Sequence, residues 1–124
     1  MVAETKQDKL VEILKGLRKV SDIQSSAVVS RDGLIIAADI SKEVDEETFA
    51  AMSAAMQGAA ETAVSELGCG KLNEITLDAE RGKIVSIGAG ELAILVCLAK
   101  RSVNLGLMRL ELNKAAKQAE HLLG

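Results

Sequence analysis

Apolar residues recur at helical spacing near the start of the chain. Over residues 6–20, Leu10, Ile13, Leu14, Leu17 and Val20 fall on one face, which predicts an amphipathic helix. Thr5 and Asp8 are spaced as a capping box, with Asp in the usual Glu position. The pattern then changes. Ser25–Arg31 and Leu34–Ile40 are rich in β-branched and apolar residues, and between them stand Asp32 and Gly33. That pair is favoured in two-residue hairpin turns, so two antiparallel strands are expected.

Helical spacing returns over residues 46–67. Asp45 occupies the N-cap position, Glu46 and Glu47 suit the positive end of the helix dipole, and Gly68 is placed to end the helix. Lys71–Ala79 alternates, with Asn73, Ile75, Leu77 and Ala79 on one side. Leu72, Glu74, Thr76 and Asp78 lie on the other, as in a strand with one polar face. A turn at Arg81-Gly82 leads to strands at Lys83–Ile87 and Leu92–Ala99. The latter is almost wholly apolar, as expected of a central strand buried on both sides.

Asn104 is placed to cap a last helix reaching about Leu123. Its main face runs through Leu105, Met108, Leu112, Ala115, Ala116, Ala119 and Leu123. Leu107 and Leu110 lie off that face and are expected against the first helix. The order is α-β-β-α-β-β-β-α, in a single domain spanning residues 1–124 without repeat or linker.

The second helix is unusual. Phe49, Met52, Met56, Ala60, Ala63 and Leu67 form one face, expected to cover the sheet. Each large side chain buried there would contribute about 1.5–3 kcal/mol. The other side is not a charged surface: Ala51, Ala54, Ala55, Gly58, Thr62 and Ser65 lie there, with Glu61 nearby. Small side chains let a second helix approach closely and multiply weak dispersion contacts. Gly58 opposes the simpler view that these residues only favour helix, because a mid-helix Gly costs about 1 kcal/mol relative to Ala. A homodimer about a two-fold axis is the expectation, extended by edge pairing of the following strand. The expected interface is Ala51, Ala54, Ala55, Gly58 and Thr62 on the helix, with Leu72, Glu74 and Thr76 on the strand.

Composition narrows the ligand classes. Net charge is −3 with the signs interspersed, so no basic stripe suggests nucleic acid. Phe49 is the only aromatic residue, which disfavours stacking on bases or sugars. Cys69 and Cys97 make neither a disulfide framework nor a zinc site, and Cys97 lies in an apolar run that reads as buried. Met1–Leu10 is polar and lacks the apolar core of a signal peptide. Thr48–Ala60, the longest uncharged stretch, is shorter than the roughly 20 residues a membrane span needs. A reduced, cytoplasmic protein that does not span a membrane is expected.

Two glycine patterns invite a phosphate-binding reading. Gly88, Gly90 and Ala93 fit G-x-G-x-x-A, but the dinucleotide turn requires a helix after the glycines. Glu91–Ala99 has no helical period, so a hairpin is expected; a helix there would reopen the case for a nucleotide-dependent oxidoreductase. Around Gly68-Cys69-Gly70-Lys71, Ser65 stands where a P-loop needs its first Gly and Leu72 where it needs Ser or Thr. His121 is the only histidine and sits near the C-terminus, so no Ser-His-Asp or Cys-His set can be assembled around a second one. Cys69 beside Lys71 reads as an ordinary loop cysteine, and Glu46-Glu47 as a solvated helix start. No enzyme activity, cofactor or metal site is expected.

Three stretches carry a resemblance: the hairpin Ala27–Ala38, the Ala/Met-rich second helix, and Asn104-Leu-Gly-Leu-Met-Arg-Leu-Glu111. Together and in this order they resemble the Roadblock/dynein light chain family. The resemblance implies an α+β fold: a five-stranded antiparallel sheet, the long second helix on one face and the terminal helices on the other. It implies homo- or heterodimers through the second helix and third strand, no catalytic site, and binding of Ras-like small GTPases as regulator or scaffold. The bacterial gliding-motility regulator, similar in fold, stimulates its GTPase without inserting an arginine. Arg18, Arg31, Arg81, Arg101 and Arg109 are candidates here, and nothing in the sequence singles one out. Asn104 reads as a helix cap, Gly106 as a position near the helix start with little room for bulk, and Asp32 and Gly33 as turn residues. The alternative function is a small-molecule sensor domain, which would need a pocket of convergent polar groups.

Overall fold

The last strand in sequence is the middle strand in space. In the computed structural model, which describes residues 3–124, the sheet order is β2-β1-β5-β4-β3. The elements are α1 (Lys6–Gly16), β1 (Ile23–Ser30), β2 (Ile35–Asp39), α2 (Glu46–Glu66), β3 (Ile75–Ala79), β4 (Gly82–Ala89), β5 (Ala93–Ala99) and α3 (Leu105–Leu123). Met1 and Val2, the first residues of the polar N-terminal stretch, lie outside the described residues. Every neighbouring pair of strands is antiparallel.

The apolar run in β5 is explained by this position. Leu95 and Cys97 pack into one cluster with Leu14, Met108 and Leu112 of α1 and α3. Ile94 and Val96 pack into a smaller cluster with Ala50 of α2. The strand is thus buried on both faces, as its sequence predicts, with α1 and α3 on one side of the sheet and α2 on the other.

Helix ends follow their local signals. Thr5 and Asp8 form a reciprocal capping box, and Asp45 Oδ2 accepts from the Thr48 backbone N–H at 3.0 Å. After α2, Gly68 takes φ +71°. Its N–H reaches the Ser65 carbonyl at 3.1 Å and the Cys69 N–H reaches Val64 at 2.8 Å, a Schellman ending.

Several expectations are corrected. The first α-helix stops at Gly16, and Leu17–Lys19 form a 3-10 turn that still buries Leu17. The first hairpin has a three-residue loop, Arg31–Gly33, not a two-residue one. Gly33 N–H donates to Ser30 O and Ser30 N–H to Leu34 O, with Gly33 at φ +90°. Asp32 keeps an ordinary negative φ, because a primed two-residue turn is not formed. β3 begins at Ile75 instead of Lys71, and β4 continues to Ala89, past Ile87. Leu107 and Leu110 are 40% and 53% exposed on α3 and are not among the residues packed on the core between α1, α3 and the sheet.

The largest correction concerns α2. Ala50, Ser53 and Gln57 are its buried residues, whereas Met52 and Leu67 are 62% and 79% exposed. The helix is rolled so that a small and polar stripe faces the sheet. The reason is a polar group beneath it: buried Ser86 on β4 donates its hydroxyl proton to Gln57 Oε1 at 2.7 Å. Leaving that pair unmade would cost about 1–3 kcal/mol, comparable to the burial of one Met side chain.

Candidate partner-binding surface

α2 lies across β1, β2 and β5. The β4–β3 side of the same sheet face is less covered. Ile84 and Ser86 on β4 stand opposite Leu77 and Ile75 on β3, and directly opposed residues share a face. Ile75, Ile84 and Leu98 are half-buried there, and Leu77 is 42% exposed. Beside this apolar strip runs the outward side of α2. Ala51, Ala55, Gly58 and Thr62 are exposed on it. A Cβ added at Gly58 would meet nothing within 4 Å, so packing within this chain does not require glycine there.

The other expected interface residues have different surroundings. Ala54 is half-buried, and its Cβ lies 3.7 Å from the place a Cβ on Gly33 would take. Leu72 is half-buried in the loop before β3. Glu74 and Thr76 turn towards α3. Arg109 Nε donates to the two Glu74 carboxylate oxygens at 2.8 and 3.0 Å, and Nη2 lies 3.4 Å from the Thr76 hydroxyl.

One polar tie under α2 left no mark in the sequence pattern. Arg31 Nη1 donates to both Glu61 carboxylate oxygens, at 2.6 and 2.7 Å. Its Nε donates to the Glu91 carbonyl at 2.8 Å and its Nη2 to the Gly90 carbonyl at 3.0 Å. A Cβ at Gly88 would stand 3.5 Å from Arg31 Nη2, an ordinary contact, so this tie does not require glycine there. The partners lie 30 and 59–60 residues away, so no local spacing could reveal them.

The remaining arginines are distributed over the surface. Arg18 holds Asp39 through two bonds of 2.6 Å, which raises the guanidinium pKa further above its ordinary value. Arg101 lies 3.5 Å from Asp78, and Arg81 is exposed in the β3–β4 turn, which is Glu80-Arg81 and not Arg81-Gly82, since Gly82 already pairs with Ala79.

The glycine patterns are structural. Gly88 ends in a strand paired with Ile94, Gly90 turns at φ +78°, and Ala93 opens β5. No helix follows the glycines, so the geometry of a dinucleotide turn is not built. Asn104 Oδ1 accepts from the Leu107 backbone N–H at 3.1 Å, and Gly106, the second residue of that helix, is exposed with 3.6 Å between an added Cβ and Asn104 Oδ1, so the expected lack of room is not found. Burial pushes the Cys97 thiol up to about 12, while Cys69 is exposed. Among the described residues, no three His, Cys, Asp or Glu side chains are grouped to hold a metal ion.

Residues 9–99 match the model of the Roadblock/LC7 domain. The chain belongs to the Roadblock/LC7 family. The Roadblock domain is 42% identical over 106 residues to the uncharacterised protein MJ1340 of Methanocaldococcus jannaschii, covering 86% of this chain and 92% of that one. In fold it is similar to Myxococcus xanthus MglB, with TM-score 0.88 at 18% identity over 99% of this chain and 93% of the other. It is also similar to the gliding protein MglB of Thermus thermophilus, with TM-score 0.85 at 20% identity over 98% and 93% of the two chains. No described helix of this Roadblock domain is long and apolar enough to cross a membrane.

Proposed function

We propose that this Roadblock domain is a non-catalytic, dimeric module that binds and regulates or scaffolds a Ras-like small GTPase in the cytoplasm. The observation that carries the dimer is the exposed small-residue side of α2 beside the half-covered Ile75, Leu77, Ile84 and Leu98. A second copy, or a related Roadblock chain, would lay its own α2 against Ala51, Ala55, Gly58 and Thr62, with Ala54 at the margin. Its β3 edge would run beside this one, near Leu72, Glu74 and Thr76. Gly58 supports this reading because nothing inside the chain fills the space over it. The partner class comes from the family resemblance and from the similarity to MglB.

Two measurements test the proposal. The solution mass of wild type should be twice that of the chain, and Gly58→Lys and Ala55→Lys should return it to the monomer value. A mass unchanged by both substitutions would remove α2 as the interface. Calorimetric titration with Ras-like GTPases of the same organism, loaded with GDP or with a non-hydrolysable GTP analogue, should show state-dependent affinity. A regulator must distinguish the two states, since binding shifts an equilibrium only by differential affinity. Equal affinity for both states would reject regulation, and no binding to any such GTPase would reject the partner class.

A further inference from the structure

β3 covers only part of β4. Its first residue, Ile75, stands opposite Ser86, so Ile87, Gly88 and Ala89 form a free edge on that side. Along an antiparallel strand the backbone groups turn alternately to the two neighbours. Gly82 pairs with Ala79 across one tight turn, and Ala89 with Ala93 across the next. The even-numbered residues of β4 therefore turn to β3 and the odd-numbered ones to β5. Gly88 directs its N–H and C=O to the place where Asn73 would stand if β3 continued. Neither group has a hydrogen-bond partner there among the described residues, and Gly88 is exposed.

The free edge is the floor of a cleft of about 920 Å³. Gln57 of α2 lines one wall, Lys117 and Glu120 of α3 line the other, and residues 71–73 border it before β3 begins. Gln57 is only 3% exposed, and its Oε1 is taken by the Ser86 hydroxyl. Its amide nitrogen has no hydrogen-bond partner among the described residues, yet no unpartnered side-chain nitrogen among them is sealed from solvent. That nitrogen therefore opens onto the space that Gln57 lines. Glu61 is not available, because Arg31 holds it. Four other charges on the cleft are free: Lys71, Lys117, Glu91 and Glu120 form no ion pair with a described residue. The two carboxylates stand at the β4–β5 turn, where Glu120 Cγ lies 3.0 Å from the place a Cβ on Gly90 would take.

We infer that this cleft binds a short zwitterionic molecule of the peptide type, held extended beside Gly88. The N–H and C=O of one ligand residue would meet the free C=O and N–H of Gly88, as those of a neighbouring strand would. The ligand carboxylate would meet Lys71, Lys117 and the Gln57 amide nitrogen, and its ammonium group would meet Glu91 and Glu120. Two free carboxylates beside two free ammonium groups disfavour a simple anion such as phosphate, and a simple cation equally. The edge beyond Ser86 offers only Ile87, Gly88 and Ala89, so the molecule is short. Leu72 is the only large apolar side chain lining the cleft, so the ligand's own side chains are small or polar. Every group belongs to one chain, and the inference does not rest on the proposed dimer or GTPase.

The test is an NMR titration of the isotope-labelled full chain with triglycine, N-acetyl-triglycine and triglycine amide. Triglycine is expected to shift the Gly88 backbone amide and the Gln57 side-chain amide saturably, with the amides of Leu10 and Leu14 on α1 unmoved. Each capped form lacks one terminal charge and should bind about tenfold more weakly. Lys117→Gln should weaken triglycine about fivefold and leave triglycine amide unchanged, since that probe has no carboxylate to lose. Glu120→Gln should likewise weaken triglycine and leave N-acetyl-triglycine unchanged. Both side chains are exposed, so the variants' circular dichroism should match wild type. The inference is overturned if triglycine gives no saturable shift at Gly88 and Gln57, or if the capped forms bind as tightly. It is also overturned if both variants bind triglycine as wild type does. Saturable binding of inorganic phosphate without binding of triglycine would overturn it in favour of an anion site.

Discussion

Arg31 joins Glu61 through a single nitrogen that donates to both carboxylate oxygens, at 2.6 and 2.7 Å. The remainder of the guanidinium holds two carbonyls of the β4–β5 turn, so one side chain connects the first hairpin, α2 and the second hairpin. Fixing α2 against the sheet fixes which of its sides faces outward. That makes the pair a determinant of the partner-binding surface as well as of stability.

Arg31→Ala should therefore destabilise the fold more than Glu61→Ala, because only the first change also removes the two carbonyl contacts. The pair is 32% and 39% exposed, so solvent screens the ionic part. A loss of about 1–2 kcal/mol is expected for Arg31→Ala. Urea denaturation of both variants measures it, and equal losses would show that the carbonyl contacts contribute nothing.

Ser86 and Gln57 form a buried pair whose effect depends on whether one or both partners change. Ser86→Ala strands the Gln57 amide oxygen and should cost about 1–3 kcal/mol. Adding Gln57→Leu should recover part of that loss, because no buried acceptor is then left without a donor. A double variant as unstable as the sum of the single ones would contradict this account.

The cap at Asp45 predicts an acid dependence. Hydrogen bonds from the Thr48 hydroxyl and then from the Thr48 backbone N–H hold its carboxyl below the ordinary aspartate value of 3.8. A lowered native pKa contributes stability that is complete above the unfolded value and is lost as pH falls through the native one. The stability difference between wild type and Asp45→Ala should be constant near neutrality and shrink below about pH 4. Chemical denaturation at a series of pH values tests this; a difference that grows on acidification has the wrong sign.

The two cysteines should separate cleanly by reactivity. The Cys97 thiol, pushed up to about 12 by burial, is almost wholly protonated at pH 8, and its side chain is closed to reagent. Iodoacetamide at pH 8 should modify only Cys69 in the native protein and both residues after denaturation. Mass spectrometry counts the adducts, and rapid double labelling of folded protein would mean that the sheet opens around β5.

Helix ends were legible in the sequence because the groups that satisfy them are close along the chain. Thr5 with Asp8, Asp45 with Thr48, and Asn104 with Leu107 each act across three residues. β5 was legible from its apolar run, and the order of all eight elements followed from such local periods. The resemblance to the Roadblock family rested on the same order. The roll of α2 was not legible. Its wheel offers Met52 and Leu67 for burial, yet the structure buries Ser53 and Gln57, because Ser86, 29 residues beyond Gln57, needs a partner. On α3 the apolar period did mark the buried side, since Met108, Leu112 and Ala115 face the core, but not the surroundings of Leu107 and Leu110, which the structure leaves exposed. The sequence by itself determined where helices and strands form, since backbone caps and side-chain periods are satisfied within a few residues. Only the tertiary structure decided which side of α2 is buried, because that choice depends on Ser86, a long-range polar group that must find a partner before apolar area can close over it.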